Sequence, residues 1–298
     1  MRLKAWFLET RPQFLTLSII LAFLGTTLAW YWHAKFFSIG SALLAGFGLV
    51  LTHASVNIIN DYFDYRSGID LATKRTPFSG GSGILPAGLL TPKQVLWLGI
   101  SALIIAAPIG IYFTVISGWE LLPLLVLAAV FIVLYSPFIL KRPWPEWAAG
   151  VGLGAFPILG LYFVQSGVYT WQAVVAAVPS FFLVHNLLLL NEFPDAEADT
   201  KAKRKTLPLT MGKKNAAIFF TVVAIAVYVW IFAWAIARVF PVWTLLALLT
   251  FPLTLKAIDG VIHNDNPAKL MPGMAMNVMT VLLTQLLLGI GFILGRVF

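Results

Sequence analysis

The sequence predicts an all-α, polytopic membrane protein, a bundle of nine transmembrane helices. Three observations carry that prediction. Of 298 residues, 60% are hydrophobic and 11% charged, against about 25% charged in soluble domains, and the mean hydropathy is +0.89. The chain divides into nine apolar runs of the roughly 20 residues that cross a bilayer. Its basic residues then sort to one side. With the N-terminus in the cytoplasm, 17 of the 20 Lys and Arg residues fall at inside ends, as the positive-inside bias requires. That bias, with anionic lipid headgroups as the partner surface, accounts for the net charge of +8 without nucleic acid. The absence of cysteine excludes disulfides, thiolate metal sites and a cysteine nucleophile.

The first run, 13–32, follows Arg2, Lys4 and Arg11. The second, 37–58, leads into an acidic stretch and a long polar connection, 60–93. Runs three and four, 94–117 and 119–140, are joined by a very short turn, and Lys141 and Arg142 mark the inner end of the fourth. Runs five and six, 146–166 and 171–191, form another closely joined pair, followed by a second long polar connection, 192–214. Run seven covers 215–237 and run eight 240–257. A connection at 258–273 contains Asp259 and Asp265, and run nine, 274–295, completes the bundle. The whole chain, 1–298, is expected to form one domain with two weakly repeated halves, roughly 13–140 and 146–295. A shift of 131 lays Asn60 on Asn191, Asp61 on Glu192, Tyr62 on Phe193, Asp64 on Asp195 and Lys74 on Lys205. Membrane proteins often hold their site at the interface of such repeats.

Seven of the 12 acidic residues lie in two places: Asp61, Asp64 and Asp70 after run two, and Glu192, Asp195, Glu197 and Asp199 after run six. Carboxylates at the membrane rim are expensive and mark a functional site. If run two continues as helix, Asn57, Asn60, Asp61 and Asp64 form one stripe at i, i+3, i+4 and i+7. Gly68 is placed to stop that helix, and Asp70 to fold back from the loop. In the second place Asp195 and Asp199 stand at i, i+4 with Asn191 nearby, while Glu197 points to solvent. Pro194 is expected to kink or end the helix, since it lacks an amide donor and clashes with the Leu190 carbonyl. Crowded carboxylates repel one another unless a hard cation joins them. Mg²⁺ takes oxygen ligands and is typically shared between one or two carboxylates and a phosphate. Two acidic stations therefore imply two Mg²⁺ ions bridged by a diphosphate. Arg66, Lys74 and Arg75 follow the first station, and Lys201, Lys203, Arg204 and Lys205 the second. Each is either a topology signal or a phosphate ligand, with Lys74 and Arg75 preferred as ligands because their loop is otherwise poor in charge.

The segment Ser79-Gly80-Gly81-Ser82-Gly83 lacks the Gly-Lys-Ser/Thr ending of a nucleotide-binding loop. It is either a plain linker or a lid whose amides approach phosphate. His53 and His185 lie within runs two and six, where each either lines a cavity or packs in the core. Tyr62, Phe63 and Tyr65 are candidates for contact with a carbocation.

With Asn60-Asp61-x-x-Asp64 after span two and Asp195-x-x-x-Asp199 after span six, the chain resembles the UbiA superfamily of intramembrane prenyltransferases over nearly its whole length. The stretch Asn-Asp-Tyr-Phe-Asp-Tyr-Arg-Ser-Gly-Ile-Asp, 60–70, is similar to the 1,4-dihydroxy-2-naphthoate polyprenyltransferases of menaquinone synthesis. Many superfamily members carry an acid at the position of Gly68; here the acid is Asp70, a displacement this branch tends to share. The resemblance implies a bundle around a central cavity open to the membrane, and Mg²⁺-dependent transfer of a polyprenyl group from its diphosphate to an aromatic acceptor. It implies that Asn60, Asp61 and Asp64 hold one Mg²⁺, with Asn57 and Asp70 in support, and that Asp195 and Asp199 hold the other. Lys74, Arg75 and Lys205 would neutralise the diphosphate; Arg66 and Asn191, by their place beside the acidic stretches, are further candidates for the substrate site. The expected location is the plasma membrane of a prokaryote, with N-terminus and site cytoplasmic and no obligate protein partner.

Other acceptors within the superfamily, such as 4-hydroxybenzoate, a tetrapyrrole or a glycerol phosphate lipid, fit the same motifs. A divalent cation transporter is the competing class; its carboxylates belong at the midplane rather than beside basic loops, and Mg²⁺ flux without prenyl diphosphate would mark it. The Asp-Gly-x-x-Ala-Arg motif of enzymes that use cytidine diphosphate lipids is missing.

Overall fold

The computed structural model describes residues 2–33, 37–73, 75, 76 and 78–298, and among these it is all helical, without a β-sheet. A short amphipathic helix, α1 (Arg2–Glu9), precedes α2 (Pro12–His33) and α3 (Ile39–Ser67). The short α4 (Ile69–Ala72) opens the first long connection, and α5 (Pro92–Ser117) starts behind a Thr91–Gln94 capping box. An apolar helix, α6 (Leu121–Leu134), follows. The next crossing combines α7 (Glu146–Ala149), a π-turn at Gly150–Ala155 and α8 (Phe156–Ser166). Then come α9 (Trp171–Lys201), the short α10 (Leu207–Thr210) and α11 (Lys213–Ile236). A 3₁₀ segment, Val242–Thr250, runs into α12 (Phe251–Ile262), and α13 (Pro267–Val297) ends the chain.

Among the described residues, eight helical segments are long and apolar enough to cross a membrane. The ninth expected span, 119–140, is the exception. Its helix has 14 residues, about 21 Å at 1.5 Å per residue, short of a hydrocarbon core of about 30 Å. Pro137 explains the early end: it has no amide to donate and disfavours helical backbone at Ser136. The segment still joins the two ends of the bundle. Leu121 packs beside Phe113 and Phe163 at the far end, while Ser136 Oγ accepts from Asn60 Nδ2 at 3.1 Å beside the first acidic stretch.

α3 continues nine residues past the apolar run's edge at 58, carrying the polar stripe on helix, and stops as expected where Gly68 adopts φ 81. Two further boundaries differ from expectation. α9 runs through Pro194 to Lys201, so the expected break is absent. One missing amide bond is outweighed there by the packing of Phe193, Ala196 and Ala198, all buried. The connection expected at 258–273 is mostly helical, reduced to a short turn before the Asn266 cap of α13.

The core sits between α2, α8, α9, α11 and α13, around Leu21, Leu24, Tyr162, Val227 and Phe292. α12 and α13 cross where Gly260 and Gly273 meet backbone to backbone: a Cβ on either would stand 2.6–2.7 Å from the other's Cα. Small residues permit such close crossings in membranes. α3, α6, α8 and α9 are left lining one side of an inner cavity.

Candidate active site

That cavity has a volume of about 410 Å³ and is mainly apolar along its depth. Leu49, Ile109, Leu124, Phe131 and Phe156 line its walls, and its polar residues gather at one end. There α3 presents Asn57, Asn60 and Asp64, α4 presents Asp70, and α9 presents Asn191, Glu192, Asp195 and Asp199. The two acidic stretches therefore face one another across a single mouth.

Arg204 ties them together. Its guanidinium makes an ion pair with Asp64 through Nη2 and another with Asp199 Oδ1 at 3.0 Å through Nη1. Burial works against its charge, but Asp64 and Asp199 more than compensate, and its pKa is raised. Lys203 adopts φ 58 just beyond the end of α9, and this reversal turns Arg204 inward. Lys201, Lys203 and Lys205 are exposed and do not line the cavity; Lys205 contributes its carbonyl to Trp144 N at 3.0 Å.

Asp61 is 1% exposed and points to the side of the mouth. Its Oδ1 meets Arg11 Nη1 at 3.4 Å, and its Oδ2 accepts from the Ser82 amide at 2.7 Å. Asn57 Nδ2 donates to the Thr10 carbonyl at 3.3 Å. Asp70 is buried beneath Gly81; burial, then the charges of Asp61 and Asp64, push its pKa up to about 7. Arg75 is exposed and donates to the carbonyls of Gly81 at 3.3 Å and Ser82 at 2.5 Å. It holds the glycine-rich loop. Gly83 adopts φ 75, a left-handed backbone that favours glycine, and a Cβ there would displace the Arg75 guanidinium. The loop also reaches the second station, where Ser79 approaches the Asp195 carboxylate. Arg66 is exposed and away from the cavity, as is Glu197, which is solvated as expected. Lys74 lies outside the described residues.

His53 lines the cavity with Nδ1 bonded to Ser18 Oγ at 2.8 Å. His185 packs against Phe181 and Phe219 and meets Asn186 at 3.2 Å. Tyr62, Phe63 and Tyr65 do not line the cavity; Phe14, Phe78, Phe113, Phe131, Tyr135 and Phe156 do. Sequence reasoning gave no site role to Glu9, Arg11 or Glu146, and gave Glu192 none beyond its place in the second acidic stretch and the repeat. All but Arg11 are buried, Glu9 and Glu146 at 0% exposure. For Glu9 and Glu146 the sequence signal was an acidic residue beside an apolar run, and for Arg11 only its place among the N-terminal basic residues.

The mouth offers carboxylate and amide oxygens from both stations. Asp195 Oδ1 is buried without a hydrogen-bond partner among the described residues. That donor set and that unsatisfied oxygen fit a hard, oxygen-seeking cation such as Mg²⁺.

A sequence profile described as the UbiA prenyltransferase family matches residues 18–291. The chain belongs to that family. Its members transfer prenyl groups within membranes, which agrees with the multi-pass helical architecture. Among curated UbiA relatives, a 1,4-dihydroxy-2-naphthoate octaprenyltransferase of Bacillus subtilis is 27% identical over 96% of this chain and 91% of its own. Among solved structures, a UbiA homolog from Aeropyrum pernix in its apo form superposes with a TM-score of 0.69 at 17% identity, covering 95% of this chain and 98% of that one. A UbiA homolog from Archaeoglobus fulgidus, bound to DMAPP and Mg²⁺, superposes with a TM-score of 0.57 at 15% identity, covering 95% and 98%. These likenesses extend the UbiA fold over almost the entire chain.

Proposed function

We propose that this protein transfers a polyprenyl group from polyprenyl diphosphate to 1,4-dihydroxy-2-naphthoate in menaquinone biosynthesis, at a site facing the cytoplasm. The observation that carries the reading is two acidic motifs, joined by Arg204, at the mouth of one apolar cavity. The naphthoate acceptor is supported by the B. subtilis relative and by Asp70, which is buried at the mouth where the branch displaces its acid.

Two Mg²⁺ ions are proposed, one held by Asn60, Asp61 and Asp64 and one by Asp195 and Asp199. Among the described residues no three acidic or histidine side chains close around one point, so each ion would share its ligands with substrate phosphate. When bound, Mg²⁺ supplies positive charge that makes diphosphate a better leaving group. The chain's own contribution is positional and electrostatic. Arg204, with Arg75 and Lys74 from the loop, adds cations beside the leaving diphosphate, and Asn57 and Asn191 orient it. The apolar walls hold the isoprenoid tail and keep water from the allylic centre. The allylic C–O bond breaks with both electrons leaving on diphosphate. A ring carbon of the acceptor then forms the new C–C bond, and the ring loses a proton, or its carboxyl as CO2.

The test is direct. Purified protein is incubated with Mg²⁺, labelled prenyl diphosphate and a panel of aromatic and glycerol phosphate acceptors, and the labelled product is identified. Label on a prenylated naphthalene product is expected, with its carboxyl retained or released as CO2, and abolished by chelation and in Asp61→Asn and Asp195→Asn. Full turnover in both variants, or label only on another acceptor, overturns the reading.

A further inference from the structure

Glu9 ends α1, 52 residues before Asp61 in sequence, yet it is 0% exposed. Its Oε2 accepts from Ser82 Oγ at 2.8 Å. That same hydroxyl accepts from the Ile84 amide at 3.1 Å, so its proton is committed to Glu9. The Ser82 amide is bonded to Asp61 and its carbonyl to Arg75. Ser82 is thus held at hydroxyl, amide and carbonyl, and Glu9 supplies the one hold that comes from outside the motif and its own loop. The next two residues repeat the pattern: the Thr10 carbonyl takes Asn57 and Arg11 takes Asp61. Nothing in the local chemistry of α1 requires a buried carboxyl there, and its Oε1 has no partner among the described residues. Burying such a group costs free energy, so its place calls for a role.

We infer that Glu9 is a positioning residue for prenyl diphosphate: through Ser82 it fixes the glycine-rich loop against Asp61, making the N-terminal helix a support behind the diphosphate site. This rests on the prenyl transfer reading. Burial, then the charge of Asp61, pushes the Glu9 pKa up to about 8. At neutral pH the side chain is mainly an uncharged acceptor, and glutamine reproduces its shape and its acceptor oxygen. Leucine keeps the volume and loses the acceptor.

The experiment compares Glu9→Gln, Glu9→Leu, Ser82→Ala and the Glu9→Leu/Ser82→Ala double variant. Glu9→Leu is expected to raise KM for prenyl diphosphate about three- to tenfold, the worth of one hydrogen bond, with kcat and acceptor KM little changed. Ser82→Ala should match it, the double variant should be no worse than either, and Glu9→Gln should stay within about twofold of the parent. Hydrogen exchange of residues 79–84, measured without substrate, should quicken in Glu9→Leu and not in Glu9→Gln. Equal losses in the glutamine and leucine variants, additive effects in the double variant, or unchanged loop exchange in Glu9→Leu would each overturn the inference. If the parent transfers no prenyl group, the function reading fails on its own, and the exchange data still decide whether Glu9 holds the loop.

Discussion

Replacing Arg204 with glutamine tests the joint between the two acidic stations. Arg204 is 14% exposed, Asp64 13% and Asp199 2%. At about 4 Å and an effective dielectric of 20, one such charge pair is worth about 4 kcal/mol. Desolvation of the three groups consumes much of the total for the intact triad. Removing the cation relieves only its own desolvation and leaves the two carboxylates buried without their partner, and losses of about 3–5 kcal/mol are usual for a broken buried pair. Partial exposure of Arg204 and Asp64 argues for the lower end, about 3 kcal/mol, or roughly 6–12 °C in melting temperature. The assay is thermal unfolding in detergent with and without Mg²⁺. Without it Arg204→Gln should melt well below the parent. Added Mg²⁺ should stabilise the variant more than the parent, since a divalent cation neutralises the same carboxylates. Arg204→Lys should fall between, because a single ammonium cannot fork to both partners. An unchanged melting point in Arg204→Gln, or equal Mg²⁺ shifts in variant and parent, would refute this account of the mouth.

Gly273→Ala drives a Cβ into the Gly260 backbone, and a loss of about 1–3 kcal/mol is expected in thermal unfolding with the acidic site untouched. Gly152→Leu fills the cavity wall opposite Phe131; turnover of long prenyl diphosphates should drop while short ones survive, read by product chain length. Glu9, faced by Asp61, Arg11, Asp70 and Ser82, has a folded pKa raised from 4.5 to about 8. Its folded state therefore holds the proton more tightly, and the stability this confers is complete below about 4.5 and lost as pH rises through about 8. Melting curves of the parent should fall across that window relative to Glu9→Gln.

The helix that carries the first acidic stretch was legible because its residues follow helical period and a glycine with positive φ ends it; three of the four in the stripe, Asn57, Asn60 and Asp64, line the cavity, while Asp61 is turned aside to Arg11 and Ser82. The second was harder. A proline signals a break, and only tertiary packing around Phe193 and Ala198 shows why the helix goes on. Arg204 could not be picked from a run of cations at 201–205, since the reversal at Lys203 that selects it is a backbone event without a residue-type signature. Glu9 and Arg11 reach their partners across 50 or more positions, a distance that topology closes and local pattern does not. Apolar length alone located the eight long crossings; it did not show that the helix of the ninth run, α6, is trimmed to 14 residues where a proline follows.

The shortness of α6 has a consequence for the lipid around it. A helix of about 21 Å does not match a hydrocarbon layer of about 30 Å, and the bilayer adjusts by thinning locally or drawing flanking residues inward. α6 is also a wall of the cavity, with Leu124, Leu125, Ala128 and Phe131 facing inside and Val126, Val130 and Val133 facing out. Any local thinning beside α6 would lie next to the space proposed for the isoprenoid tail, so the thickness of the host bilayer becomes a variable in how readily a long-chain amphiphile leaves the lipid for the protein.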